Sequence, residues 1–196
     1  MNKDFQCTLV LIKPDGVKRL LTRDIFSRYA DAGLTMLYKW KPIRATREQL
    51  VEHYETIGKL KTRKGEKVFE ETLRFEHYET IGKLKTRKGE KVFEETLRYM
   101  MSGALIKAIV GGSNAIEVVR KINGATKPWE AEKGTIRADF GSNDPNGPLL
   151  NVVHSSATPE EAEKEIMLWF SDDEDEEDSE FRIFGVGGVD HRFYGE

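Results

Sequence analysis

Cysteine is almost missing from this chain: of 196 residues only Cys7 carries a thiol. An intrachain disulfide is therefore impossible, a cluster of cysteine metal ligands is excluded, and a reducing, cytoplasmic setting is the expectation. Also missing is any run of the roughly 18–20 consecutive apolar residues that a membrane-spanning helix needs. The opening Met1–Asp4 passes straight into strand-like sequence without an apolar leader, so no membrane partner is expected. The pattern Gly-x4-Gly-Lys-Ser/Thr does not occur, which removes the P-loop as a way of holding phosphate. Neither His-Glu-x-x-His nor the aromatic signature of RNA-binding sheets is present.

What is there suits one core-forming domain, with 38% apolar and 33% charged residues. The net charge of −3 is unevenly spread: eight carboxylates and no base lie between Ser171 and Glu180, so the remainder carries about +5. A mildly basic body suits polyanionic ligands, nucleotides among them, without choosing between them. The acidic run reads as a solvated segment. The expected division is a domain over 1–170 and an acidic run with C-terminal tail over 171–196.

Inside the domain, Glu52–Arg74 recurs without a change as Glu76–Arg98. Solenoid repeats diverge and come in larger numbers, so this is a single tandem duplication. One copy suffices for the surrounding fold and the other is expected to be extruded. Either copy can fill the ancestral place.

The rest alternates strands and helices. Phe5–Ile12 reads as a strand stopped by Pro14. Thr22 can cap a helix presenting Ile25, Phe26, Tyr29 and Ala30 on one face and ending at Gly33, with a second strand over Leu34–Trp40. Thr46 to Gln49 forms a capping box that opens the helix leading into the repeat. Ala104–Val110 is a third strand, and Asn114 starts a helix that closes at Gly124. Asn151–His154 is a short fourth strand. Thr158, Pro159 and Glu161 open the last helix. The expected fold class is α+β: a ferredoxin-like βαββαβ antiparallel sheet with helices on one face, plus a helical insertion between the second and third strands.

His154 stands at a strand end directly before a sharply capped helix, a junction that holds a side chain firmly while leaving it reachable. Glu165, eleven residues on, could accept one imidazole N–H if that helix packs back across the strand, leaving the other ring nitrogen free to attack. On spacing alone, a structural histidine is the commoner reading of such a position. Lys13, Arg120 and Arg137 could converge on one end of the sheet and neutralise a phosphate; dispersed surface charge is the alternative.

Thr8–Val17 (TLVLIKPDGV), Gly124–Pro128 (GATKP), Gly134–Phe140 (GTIRADF), Asn151–Ser156 (NVVHSS) and Ala162–Phe170 (AEKEIMLWF) closely resemble the motifs of nucleoside diphosphate kinases, in that family's order. The resemblance runs over roughly Phe5–Phe170, leaving out one repeat copy. It implies a ping-pong kinase of low base selectivity acting on nucleoside di- and triphosphates. In that reading His154 is the phosphorylated histidine, Glu165 its orienting carboxylate and Ser156 part of the supporting network. Lys13 reaches the transferred phosphate and the sugar, Asn151 holds the sugar, and Arg120, Thr126 and Arg137 bind phosphates. Tyr54 or Tyr78 matches a tyrosine near the histidine, and Phe93 is the expected ring beside the base. Mg2+ would arrive with the nucleotide phosphates. The resemblance further implies a homo-oligomer (dimer, tetramer or hexamer), and nucleic acid is not an expected partner.

The chain departs from the family pattern at His154-Ser155-Ser156-Ala157, where His-Gly-Ser-Asp is common, and at Lys91-Val92-Phe93 (with its twin Lys67-Val68-Phe69), where Pro-Phe-Phe is common. Two other functional classes remain open. One is a nucleotide-binding regulatory protein with impaired transfer. The other is a nucleic-acid-binding module built on the basic repeat (Lys59, Lys61, Arg63, Lys64).

Overall fold

Strand β1 (Phe5–Ile12) runs through the middle of the sheet because its apolar residues serve two interiors: Leu9 and Leu11 point to one, Val10 and Ile12 to the other, and all four are fully buried. The structure, a computed structural model, describes residues 4–37, 41–54 and 87–171. Along one side of β1 lies β4 (Leu105–Ser113), antiparallel from Phe5↔Ser113 to Ile12↔Ile106. Along the other lies β5 (Val153–Ser155), antiparallel from Ile12↔Val153 to Val10↔Ser155. β2 (Thr35–Met36) and β3 (Lys41–Ile43) follow each other down the outer edge of β4. Counted as one interrupted strand, they complete the ferredoxin-like order: outer pair, β4, β1, β5, all neighbours antiparallel.

Seven α-helices are described: α1 (Pro14–Lys18), α2 (Thr22–Asp31), α3 (47–54), α4 (Arg87–Met101), α5 (Ala115–Asn123), α6 (Ile136–Phe140) and α7 (Pro159–Phe170). The crossover helices α2 and α5 pack together on one face, where Ile25, Tyr29, Ala115 and Val119 meet Val10, Ile12, Ile106 and Val110. The opposite face is covered by α3, α4 and α7, whose Leu50, Leu97, Met100, Ile166 and Trp169 meet Leu9, Leu11, Leu105 and Ile109. None of the described helices is long and apolar enough to cross a membrane.

Several boundaries differ from the sequence expectation, each for a local reason. The second strand extends past Trp40 to Ile43; residues 38–40 lie outside the described residues. The third runs on through Gly111 and Gly112 to Ser113. Leu37 and Leu34 lie where Cβ atoms of these glycines would be, so the Gly-Gly pair serves close packing rather than ending the strand. Thr22 is the first helical residue of α2, and the cap position falls to Leu21. The KPDG turn and the GTIRADF loop are short helices, α1 and α6. The fourth strand is displaced to Val153–Ser155 because the chain turns sharply at Val152. At Thr46 and Thr158 each hydroxyl accepts the N–H three residues on, as expected of a cap, while the Gln49 side chain reaches the Leu168 carbonyl and Glu161 accepts the Ala157 N–H.

The duplication is used at its two outer ends. Glu52–Tyr54 of the first copy finish the described part of α3, and Arg87–Arg98 of the second make up most of α4. The flanks explain this choice. Leu50 and Met100, two residues outside the repeats, are both fully buried. Seating the second copy in α3 would put Arg74 in the place of Leu50, and seating the first in α4 would put Glu76 in the place of Met100. Either exchange buries a charge. Residues 55–86, with Tyr78 and Lys67–Phe69, lie outside the described residues, as do the acidic residues after Ser171 and the tail.

Candidate active site at the β5–α7 junction

The β1–β5 register sets Leu11 opposite His154, so the imidazole faces the same side as Leu11, toward α7 and α3. The capped start of α7 fixes how that helix meets the strand. Thr158 accepts the Glu161 N–H at 3.2 Å, and the Glu161 carboxylate accepts the Ala157 N–H at 3.0 Å. Glu161, Glu165 and Trp169 then follow at helical spacing and are all buried against the sheet.

Glu165 divides its two oxygens between two tasks. Oε1 is 3.0 Å from His154 Nε2, and Oε2 accepts the Ser156 hydroxyl at 2.6 Å. Ser156 is in turn pinned to β1, its Oγ accepting the Leu9 N–H at 3.2 Å. Glu165 is 1% exposed and His154 16%, so the acceptor is buried while the imidazole is open on one side. A carboxylate at Nε2 assigns the ring proton to that nitrogen and leaves the lone pair on Nδ1.

Behind this pair stands a second imidazole that the sequence reading passed over. His53 of α3 is 1% exposed, lies edge-on to the His154 ring with centroids 4.8 Å apart, and has Nδ1 3.8 Å from Glu165 Oε1. Its Nδ1 accepts the Trp169 indole N–H at 3.2 Å. Burial lowers its pKa to about 3, with His154 and Lys13 pushing the same way and Glu165 opposing, so the ring is neutral. Both residues could have been found in the sequence. His53 shares its motif with Tyr54, and Trp169 follows Glu165 by one helical turn. Tyr54 packs edge-on to His53, with ring centroids 4.9 Å apart. Phe93, the expected base-slot ring, is 9% exposed in the core beside Tyr54.

Lys13 stands between β1 and α1 and is 4% exposed. Its Nζ donates to Asn151 Oδ1 at 2.6 Å, and Asn151 Nδ2 donates to the Thr126 carbonyl at 3.0 Å. Lys13, Asn151 and Thr126 are thus one hydrogen-bonded chain. Between Asn151 and His154, Val152 takes φ 54°, a rare conformation for a β-branched residue. The Val153 N–H closes a three-residue turn onto the Asn151 carbonyl at 2.6 Å, while the Val152 carbonyl accepts the Lys13 N–H at 2.8 Å.

Arg137 is 8% exposed; its guanidinium donates to the carbonyls of Gly124 at 2.9 Å and Val153 at 3.0 Å, bracing β5 from below. Gly124 has φ 79°, and a side chain there would collide with Thr135. Arg120 is not drawn into the histidine cluster: it lines a cavity of about 760 Å³ with Gly124, Thr135 and Ala157. Ser155, where the family commonly has glycine, is accommodated in a buried chain: Tyr29 OH donates to Asn123, and Asn123 donates to Ser155 Oγ at 3.0 Å. Asp15 also escaped the sequence reading; it accepts the Tyr99 hydroxyl and ties α1 to α4.

Among the described residues the one group of three side chains spaced to hold a metal is His53, His154 and Glu165. Two imidazoles and a carboxylate do not make the oxygen cage that Mg2+ takes.

A family model described as nucleoside diphosphate kinase matches residues 6–78 and again 59–175. The overlap falls inside the duplicated segment, because both copies satisfy the same part of the pattern. The nucleoside diphosphate kinase of Methanocaldococcus jannaschii is 36% identical over 167 residues, covering 85% of this chain and 94% of its own length. That of Caldanaerobacter subterraneus is 37% identical over 165 residues, 84% of this chain and 94% of its own. Two solved structures share the fold. The Pyrobaculum aerophilum NDP kinase superposes with a TM-score of 0.63 at 32% identity, covering 87% of this chain and 98% of its own. The Borrelia burgdorferi enzyme, a transition state mimic with bound vanadate and ADP, gives 0.64 at 31% identity, covering 87% and 90%. The chain belongs to the nucleoside diphosphate kinase family of nucleotide phosphotransferases.

Proposed function

We propose that the protein transfers the terminal phosphate of a nucleoside triphosphate to a nucleoside diphosphate in two half-reactions through phosphohistidine at His154. In the first, the Nδ1 lone pair attacks the terminal phosphorus, an N–P bond forms, the P–O bond to the diphosphate breaks and the diphosphate leaves. In the second, a different diphosphate attacks the phosphohistidine and the N–P bond breaks. The observation that carries this reading is the Glu165 contact at His154 Nε2, which holds the imidazole in the tautomer that attacks from Nδ1. Imidazole needs no prior deprotonation to act as a nucleophile when neutral. The positive charge that forms on the ring is stabilised by Glu165.

Phosphoryl transfer otherwise needs positioning and charge neutralisation. Lys13, Arg120 and Arg137 are the cations assigned to it, with Thr126 at the phosphates and Asn151 and Lys13 at the sugar, while Tyr54 and Phe93 support the site from the core beside His53. Mg2+ enters as part of the nucleotide substrate. The catalytic domain ends with α7, in a homo-oligomer of cytoplasmic setting; Phe5, Leu20 and Met167 are the large apolar side chains exposed among the described residues.

The test incubates wild type and His154→Ala with terminally labelled ATP and Mg2+, looks for acid-labile label on the protein and chases with GDP. Label on wild type alone, passing to GDP, is the expected result. Nucleotide binding without label on either protein would overturn the reading in favour of a nucleotide sensor.

A further inference from the structure

We propose that His53, His154 and Glu165 also form a site for a borderline-soft divalent cation, of which Zn2+ is the type, and that its occupation switches phosphotransfer off. The switching half rests on the role given to His154 above; the site itself does not.

Two imidazoles and one carboxylate form a donor set that borderline cations take in preference to Mg2+. The three donor atoms lie within 4.8 Å of one another, with Glu165 Oε1 at 3.0 Å from His154 and 3.8 Å from His53. Metal–ligand bonds of about 2.0–2.2 Å hold ligands roughly 3–4 Å apart, so closure needs only a small rotation of His154, the one partly exposed member. The ligands come from α3, β5 and α7, which the fold has already brought together, and Ser156 fixes the far oxygen of Glu165. His53 has no task in the transfer mechanism. Its Nδ1, the ring atom 3.8 Å from Glu165, carries the lone pair a cation needs, because it accepts the Trp169 N–H.

Coordination has two consequences at the atoms concerned. A cation on His154 Nε2 takes the lone-pair site that Glu165 holds as N–H, and the ring proton moves to Nδ1, the attacking atom, with no net proton released. A cation on His53 Nδ1 displaces the indole N–H of Trp169, which gives the site an optical signature.

The experiment uses full-length protein freed of metal with a chelator, then dialysed against Zn2+ or Mg2+. One Zn2+ per chain is expected, with two imidazoles in its X-ray absorption spectrum and a shift in tryptophan emission. Zn2+ should also block labelling of His154. His53→Phe, and His53→Gln in case the first variant folds poorly, should weaken Zn2+ binding at least about tenfold. Both should free the labelling reaction from Zn2+ inhibition. His77→Phe, the same residue in the identical sequence of the other copy, should keep wild-type binding. Equal Zn2+ binding or equal inhibition in wild type and both His53 variants would overturn the proposal, as would loss of binding in His77→Phe alone. Zn2+ bound through His53 in a protein that never takes label would keep the cation site and overturn the phosphotransfer reading. Label without Zn2+ binding would do the reverse.

Discussion

Successive residues of β1 look into two unlike interiors. Val10 and Ile12 meet α2 and α5 in a layer whose polar chain, Tyr29 to Asn123 to Ser155, is uncharged. Leu9 and Leu11 meet α3, α4 and α7, and around that layer lie the buried ionisable groups Lys13, Lys107, His53 and Glu165. Lys107 donates to the Trp169 carbonyl at 2.6 Å and lies 4.4 Å over the Phe170 ring, so even this mid-strand cation is matched to the end of α7. Removing charge from water is costly unless partners are supplied. The chain therefore gathers most of its buried ionisable side chains in one layer, where each must be answered, and leaves Arg137, held by the carbonyls of Gly124 and Val153, as the buried charge on the other side.

The sharpest way to break this contrast is Glu165→Gln. Loss of the charge that orients His154 should lower kcat by about 10²–10⁴-fold with little change in the unfolding midpoint; a loss under threefold in a coupled nucleotide assay would sink the role given to Glu165. On the other face, Ile25→Ala empties a fully buried site and should cost about 2–5 kcal/mol in denaturant melts. The kcat of the folded fraction should be unaltered, and a fall in kcat matching that in stability would show that the layers are not separate.

A subtler difference lies in pH. His53 stays neutral to about pH 3 in the folded chain but titrates near 6.5 when unfolded. Between these values the unfolded state binds the extra proton, so stability falls as pH drops, by up to about 1.4 kcal/mol per pH unit. His53→Gln removes that contribution, so its melts should lose less stability than wild type between roughly pH 6 and 4; parallel slopes would argue against a buried neutral His53. The smallest effect is expected from deleting residues 55–78. The deletion restores one uninterrupted copy of the repeat and leaves every described residue in the chain. Turnover should stay within about threefold, and a dead product would show that the doubled length is needed.

Most of the strand order and the pairing of His154 with Glu165 were legible because they rest on short-range patterns: apolar alternation in β1, the box at Thr158, and the helical spacing that turns Glu165 inward. Features that depend on distant partners were not. The Gly111-Gly112 pair reads as a strand end until Leu34 and Leu37 are seen packed over it. Lys107, the charged residue inside the third strand, finds its partners only at the distant end of α7. Which repeat copy serves which helix could not be read inside the repeat, since the two are identical; it is settled by the burial of Leu50 and Met100 outside them. His53 was overlooked because a histidine next to a matching tyrosine carries no local sign of burial.

The turn at Val152 has a consequence for how the site tolerates error. Its carbonyl holds the Lys13 amide, and its own neighbours lead to Asn151 on one side and His154 on the other. Lys13 and His154 are thereby indexed to each other through main chain over a span of three residues. The helices that cover these two residues can shift without changing the spacing between them, which is cut, like a gauge block, into the backbone itself.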